Sequence, residues 1–500
     1  MEQIVKDFQE LLDEIRMYRQ MMSIASFDAN TVAPKASIAQ RAKRNGFFSK
    51  KVFEMGTGER MKGLLEALAP HKDKLDDIVA AQYRLAKKSY DQNTLMPAEL
   101  VKEYNELIAK GNQAWEKARE DNDFEYFAPF LEQIVAKTKE MVGHRNTENK
   151  PIYDMLLDDY EEGMTMEIYD EFFAKLRATI VPLLKQIVDS GKQFDNSFMH
   201  SHVPTEIQKS QAEFIAKKIG YDLDRGYITH TTHPFCSGSH RTDVRITTRY
   251  DENDFASSFY SILHECGHAI YEQSMGDDIA DTNLSRGVSM GIHESQSRFY
   301  ENCIGRSREF WQYITEELKG YLPQDFANIT PEQFYMAANV AKPSLIRVEA
   351  DELTYSLHIM IRYEIERMLF NSEVEVKDLP ALWNKKYEEY LGITPPTDAL
   401  GVLQDIHWSW GYFGYFPTYA LGSAYAAQFL AYIREEMDVD ALIAKGDFAA
   451  ITKWLNEKIH THGSKFTPEQ LMEKMNGEQL NADYYCDYLQ NKFKSVYGLS

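Results

Sequence analysis

Several things are scarce in this chain. Its four cysteines, Cys236, Cys266, Cys303 and Cys486, are scattered over 500 residues with no Cys-x-x-Cys spacing. That excludes a disulfide framework and makes a reduced cytoplasm the expected compartment. No window approaches 18 uninterrupted apolar residues, so no membrane span is predicted. The opening Met1-Glu2-Gln3-Ile4-Val5-Lys6-Asp7 has neither the basic nor the apolar segment of a secretory signal. Positive charge is also short: 55 Lys and Arg against 77 Asp and Glu leave a formal charge of −22. Without a basic face, nucleic acid is excluded as a partner. There is no Ser/Gly-rich linker, Pro-rich stretch, low-complexity tract or clear repeat, and Val/Ile alternation is rare. What remains is helical patterning from end to end, read as one mainly α domain over 1–500 divided by a cleft.

Within that pattern stands His264-Glu265-Cys266-Gly267-His268, with His293-Glu294-Ser295 further on. Positions i and i+4 share a helix face, so His264 and His268 can aim two imidazoles at one zinc ion. Glu265, one residue round the helix, is placed to act as general base without being a ligand. Glu294 is placed to supply the third ligand from a second helix. Two His and one Glu leave a coordination position open, the mark of a catalytic zinc site. Context supports the motif. Asp254 to Gln273 reads as one amphipathic helix, and a second helix, from about Val288 to Ile304 and ending at Gly305, carries Glu294 and Arg298 at i and i+4.

Residues 1–145 read as successive long helices, either a lid that excludes water from a cleft or plain scaffold; Pro97 marks a helix start. Residues 227–250 differ, being rich in β-branched residues. They predict a short hairpin or small sheet with Ser237-Gly238-Ser239 at the turn, well placed to wall a cleft. On its strand, Asp243, Arg245 and Thr247 share a face, and either contact substrate or hold the sheet by an ion pair. His233, before Pro234, belongs to an extended loop, as a bystander or a substrate contact.

Ile346 to Tyr363 reads as one helix, on which Arg347 and Asp351 stand at i and i+4. They form either a surface salt bridge or a site where the Arg347 fork grips a substrate carboxylate. Gly401-Val-Leu-Gln404-Asp405-Ile-His407-Trp408 leads into an aromatic stretch containing Tyr415 and Tyr419. Peptide hydrolysis develops an oxyanion that such groups stabilise, with His407 the first candidate and Tyr415 and Tyr419 behind it.

These segments, taken in order, carry a resemblance. His233-Pro234-Phe235, Asp243-x-Arg245-x-Thr247, His264-Glu265-x-x-His268, His293-Glu294-Ser295, Ile346-Arg347-x-x-Ala350-Asp351-Glu352 and Gly401-x-x-Gln404-Asp405-x-His407-Trp408 resemble the thermostable carboxypeptidase Taq family of zinc metallocarboxypeptidases. The resemblance implies a neurolysin-like helical fold with a deep groove, usually a homodimer, that removes single residues from peptide C-termini with broad specificity. It implies zinc on His264, His268 and Glu294, Glu265 as general base and acid, and Arg347 as anchor for the terminal carboxylate. Two departures stand out. Phe27 and Ala33 replace residues that are commonly Trp and Met, which should alter packing more than chemistry, and Cys236 follows His-Pro-Phe where Thr is common. An oligopeptidase or dipeptidyl carboxypeptidase on the same scaffold, or a non-enzymatic helical peptide-binding protein, are the alternatives. Cobalt or manganese can substitute at such a site.

Overall fold

The computed structural model describes residues 1–499 and is mainly α-helical. In chain order come α1 (Glu2–Thr31), α2 (Ile38–Thr57), α3 (Glu59–Leu68), α4 (Asp77–Thr94), α5 (Ala98–Asp121) and α6 (Phe124–Arg145). Next are α7 (Ile152–Tyr160), α8 (Met166–Asp189), α9 (Thr205–Lys218) and the strands β1 (Gly226–His230), β2 (Cys236–His240) and β3 (Asp243–Thr248). Beyond them lie α10 (Phe255–Gln273), α11 (Met290–Arg298), α12 (Arg308–Lys319), α13 (Pro331–Ala338), α14 (Tyr355–Phe370) and α15 (Leu379–Leu391). The chain closes with α16 (Pro417–Glu436), α17 (Val439–Lys445), α18 (Phe448–Lys458), α19 (Pro468–Asn476) and α20 (Ala482–Tyr497). No helix among the described residues is long and apolar enough to cross a membrane.

The chain packs as two compact units, each assembled from three stretches. The first holds 1–94, 195–338 and 429–479, and the second 95–194, 339–428 and the described residues from 480 on. The helices of 1–145 form as expected, and residues 1–94 belong to the first unit while 95–145 belong to the second.

In the first unit, α1 and α3 close a satellite core of Phe8, Leu11, Leu12 and Ile15 against Met61, Leu65 and Leu68. The central element is α10. Its first residue follows Asp254, and Phe255, Phe259, Ile262, Leu263, Cys266, Ala269 and Ile270 are all buried. Phe259 stacks on Trp311 at 5.2 Å, and Trp311 stacks in turn on Phe334 at 4.6 Å. Each such fully buried ring contributes roughly 1.5–3 kcal/mol of transfer free energy, so α10 is held firmly by its apolar residues.

The β-rich segment forms a three-stranded sheet in the order β1-β3-β2, with β1 parallel and β2 antiparallel to β3. The turn is not at Ser237-Gly238-Ser239, which lies inside β2, but at Arg241-Thr242. The glycine that suggested a turn serves a close approach instead: a methyl group at position 238 would collide with Glu272 Oε2 and stand 3.0 Å from its Cδ. Phe27 packs edge-on against Phe235 at 5.9 Å and lies under the Arg245 guanidinium at 5.2 Å.

In the second unit α14 is buried almost all round, including Arg362, His358 and Glu366. Its start corrects the sequence reading. Arg347–Glu349 is a separate 3₁₀ turn, and Asp351 accepts backbone N–H bonds from Leu353 and Thr354, both at 3.0 Å. A side chain that captures these donors starts the helix after itself, so Arg347 and Asp351 do not share a helical face.

Candidate active site

His264 and His268 lie one turn apart on α10, and Glu294 projects from α11. The close approach of the two helices depends on Gly267. A Cβ there would stand 2.7 Å from Ser297 Cα and 2.8 Å from the Gln296 carbonyl carbon, so only glycine lets α11 lie against α10 at this level. The result brings His264 Nε2 to 3.6 Å and His268 Nε2 to 3.4 Å from Glu294 Oε2. A tetrahedral zinc with ligand bonds of about 2.0–2.2 Å needs ligand atoms about 3.3–3.6 Å apart. The three donors therefore fit a small divalent ion.

The surroundings of each donor support that fit. Arg298 donates from Nε to Glu294 Oε1 at 2.8 Å, and Oε2 is the oxygen turned to the two imidazoles. His264 Nδ1 lies 2.9 Å from Glu301 Oε2, so the ring donates there and turns its Nε2 to the centre. Burial alone would raise Glu294 and Glu301. Arg298 and His264 reverse it for both, aided by His268 for Glu294 and by Arg306 for Glu301, so that Glu294 lies far below the usual range and Glu301 falls to about 2. Burial would likewise lower His264, but Glu294, the hydrogen-bonded Glu301 and Glu265 outweigh it and raise it to about 9. Metal must displace that proton, which couples binding to pH. His268 moves the other way, to about 4, mainly through burial and the neighbouring His293.

Glu265 is 6 % exposed, and burial, opposed by His264 and reinforced by Glu294, lifts its carboxyl to about 7. A carboxylate with its pKa near neutrality can both take and return a proton. It is not one of the three converging donors.

The remaining predicted residues fall in two groups. His233 is exposed in the loop between β1 and β2. Arg245 is paired with Asp243 through Nε at 2.7 Å and Nη2 at 2.8 Å, the ion-pair alternative for that strand face. In the second unit Arg347 is buried and committed to Asp405, not Asp351: Nε and Nη2 lie 3.0 and 2.9 Å from Asp405 Oδ1. Its Nη1 makes a longer 3.4 Å contact with Tyr355. Arg362 takes the other carboxylate oxygen through Nε at 2.7 Å, so Asp405 is held between two guanidinium groups. His407 packs on Phe416 at 4.4 Å, with Tyr415 and Tyr419 beyond it. Burial, with the two arginines, lowers His407 to about 4 although Asp405 opposes it, so the ring is neutral. Tyr419 also lies under the Arg347 guanidinium at 5.2 Å.

Sequence reasoning missed Glu301, Glu272, Arg306 and Arg362. Glu272 had a signal, since it continues the His264–His268 face by one more i+4 step. Glu301 and Arg306 sit on and just past a π-helical turn, Phe299–Ile304, whose wider winding no apolar period announces. Arg362 had no signal.

Two imidazoles and a carboxylate converging beside a buried carboxyl raised toward neutrality make up the arrangement of a His-Glu-x-x-His metallopeptidase. The carboxypeptidase Taq (M32) metallopeptidase model matches residues 7–493, and the chain belongs to that family. It is 46% identical over 495 residues to carboxypeptidase 1 of Bacillus subtilis (strain 168), covering 99% of both chains. It is 36% identical over 506 residues to thermostable carboxypeptidase 1 of Thermus thermophilus, covering 98% and 99%. Among solved structures, the M32 carboxypeptidase from Deinococcus radiodurans R1 superposes with a TM-score of 0.94 at 35% identity, covering 99% of each chain.

Proposed function

We propose that this chain, as one catalytic domain over 1–500, removes single residues from the free C-termini of peptides with broad specificity. The observation that carries it is the convergence of His264, His268 and Glu294 with Glu265 alongside, in a chain of the carboxypeptidase Taq family. Zinc is the ion we assign, with cobalt or manganese as substitutes; when bound it supplies Lewis acidity and makes water acidic enough to lose a proton near pH 7. His264 and His268 hold it through Nε2 and Glu294 through Oε2, while Arg298 and Glu301 keep two of these donors oriented. Glu265 takes the proton from the attacking water and returns it to the leaving amine.

Arg347 is assigned to the terminal carboxylate. Asp405 occupies its Nε and Nη2 edge, while Nη1 has only the long Tyr355 contact, and Asp405 also fixes the orientation of the fork. His407, neutral at pH 7, is assigned to the developing oxyanion with Tyr415 and Tyr419 in reserve. His233 and Arg245 are assigned to substrate contact, Arg245 through the surface it forms with Asp243. Four free thiols among the described residues agree with a cytoplasmic setting, and a homodimer is carried over from the family resemblance.

The test is mass spectrometry of a mixed-sequence peptide incubated with and without chelator, beside its C-terminally amidated form. A chelator-sensitive ladder that loses one residue at a time from the free form and stalls on the amide is the expected result. Internal or two-residue cuts on both forms would overturn it in favour of an oligopeptidase.

A further inference from the structure

The two zinc-facing histidines differ in what stands behind them. His264 Nδ1 meets a carboxylate directly, whereas His268 Nδ1 meets a second imidazole, His293 Nδ1, at 2.6 Å. His293 Nε2 in turn lies 3.0 Å from Glu272 Oε1. The hydrogen positions along this chain follow from the end. A carboxylate accepts, so His293 carries its hydrogen on Nε2 and a neutral His293 offers a lone pair at Nδ1. The hydrogen in the 2.6 Å contact then belongs to His268 Nδ1. His268 is left with its lone pair on Nε2, the atom 3.4 Å from Glu294 Oε2.

Room for this chain is built into the backbone at two glycines. A Cβ at position 287 would stand 2.5 Å from His293 Cδ2, and Tyr271 covers the same ring at 5.3 Å. A Cβ at position 238, in β2, would collide with the Glu272 carboxylate. The side chains are thus fixed in place from the sheet to the ligand: β2 seats Glu272, Glu272 orients His293, and His293 orients His268.

We propose that Glu272 and His293 are positioning residues of the metal centre, holding His268 as its Nδ1–H tautomer with Nε2 turned to the ion. The proposal rests on the metal-site reading above. It assigns these residues to metal retention and neither to proton transfer nor to the fold.

The experiment measures zinc affinity by competition with a chromophoric chelator, together with the visible absorption of the cobalt-substituted protein. It uses wild type, Glu272→Leu, Glu272→Gln, His293→Leu, the Glu272→Leu/His293→Leu double variant and Gly238→Ala. Loss of an outer partner of a ligating histidine lowers metal affinity about 10–100-fold. Glu272→Leu, His293→Leu and Gly238→Ala should each show a loss of that order and an altered cobalt spectrum. Glu272→Gln, which keeps an acceptor oxygen, should recover most of the affinity. The double variant should be no weaker than His293→Leu, because both changes cut one chain. Wild-type affinity in Glu272→Leu and Gly238→Ala overturns the proposal, even if His293→Leu fails to fold. Losses that multiply in the double variant overturn it too. A wild-type protein that holds no zinc overturns the metal-site reading and the proposal with it.

Discussion

Replacing Glu265 with Gln should cut activity while making the metal-free protein more stable. The side chain is buried beside Glu294 and Glu301, and its carboxyl is raised from the ordinary 4.5 to about 7. The ionised form is the one disfavoured in the folded state. Its cost is absent below pH 4.5, grows between 4.5 and 7, and is complete above 7. Raising a carboxyl over that range costs about 3 kcal/mol once the group is ionised. Glutamine matches the shape and carries no charge, so at pH 8 the metal-free variant should unfold about 3 kcal/mol later in urea than the wild type. The difference should vanish at pH 4 and shrink when the ion is present, because a dication favours the carboxylate. Turnover should fall about 100- to 10,000-fold, the usual contribution of a positioned acid–base group, with metal content unchanged. The assay pairs urea titration of chelator-treated protein at pH 4 and pH 8 with kcat/KM on a blocked dipeptide. Activity within tenfold of wild type, or a variant no more stable at pH 8, would refute the reasoning.

His407, lowered to about 4 mainly by burial, should make the protein acid-labile. Between pH 6.5 and 4 the unfolded chain binds the proton and the folded chain does not. The stability gap between wild type and His407→Gln should therefore shift by about 3 kcal/mol in the variant's favour over that interval in urea titrations; an unchanged gap speaks against a buried neutral ring. Asp405→Ala strands Arg347 and Arg362, both buried. Chemical denaturation should show a loss of about 3–5 kcal/mol, and a loss below about 1 kcal/mol would mean the pairing carries little. Glu366 accepts from Tyr153, the Trp408 indole N–H and the Gly414 N–H at 2.9, 2.8 and 2.7 Å. Glu366→Leu leaves buried donors unpaired at about 1–3 kcal/mol each, so amide exchange across 407–416 should quicken, and protection equal to wild type would count against this tether.

Much of the candidate metal site was legible because it is local. An i, i+4 histidine pair on an apolar helix fixes its own geometry; the start of α10 at Asp254 followed from its apolar spacing and the end of the α11 segment from Gly305. The errors arose where a side chain served a neighbour distant in sequence. Ser237-Gly238-Ser239 has turn composition, yet Gly238 is small to admit Glu272. Arg347 has helical spacing to Asp351, yet Asp351 spends its oxygens on backbone donors and Asp405 takes the arginine. The division into two units left no trace because the chain passes between them without a linker. The carboxylates that orient His264 and His293 depend on how elements meet, which periodicity does not encode.

The pattern His-Glu-x-x-His suggests two positions of free choice, and in this protein neither is free. Cys266 is fully buried, and Gly267 lies where α11 crosses. Glu294 reaches the two imidazoles from 26 residues beyond His268 only because one of the unnamed letters has no side chain. The motif as usually abbreviated thus omits a residue on which the convergence of the three side chains depends, and a search for relatives of this site gains discrimination by reading that letter as well.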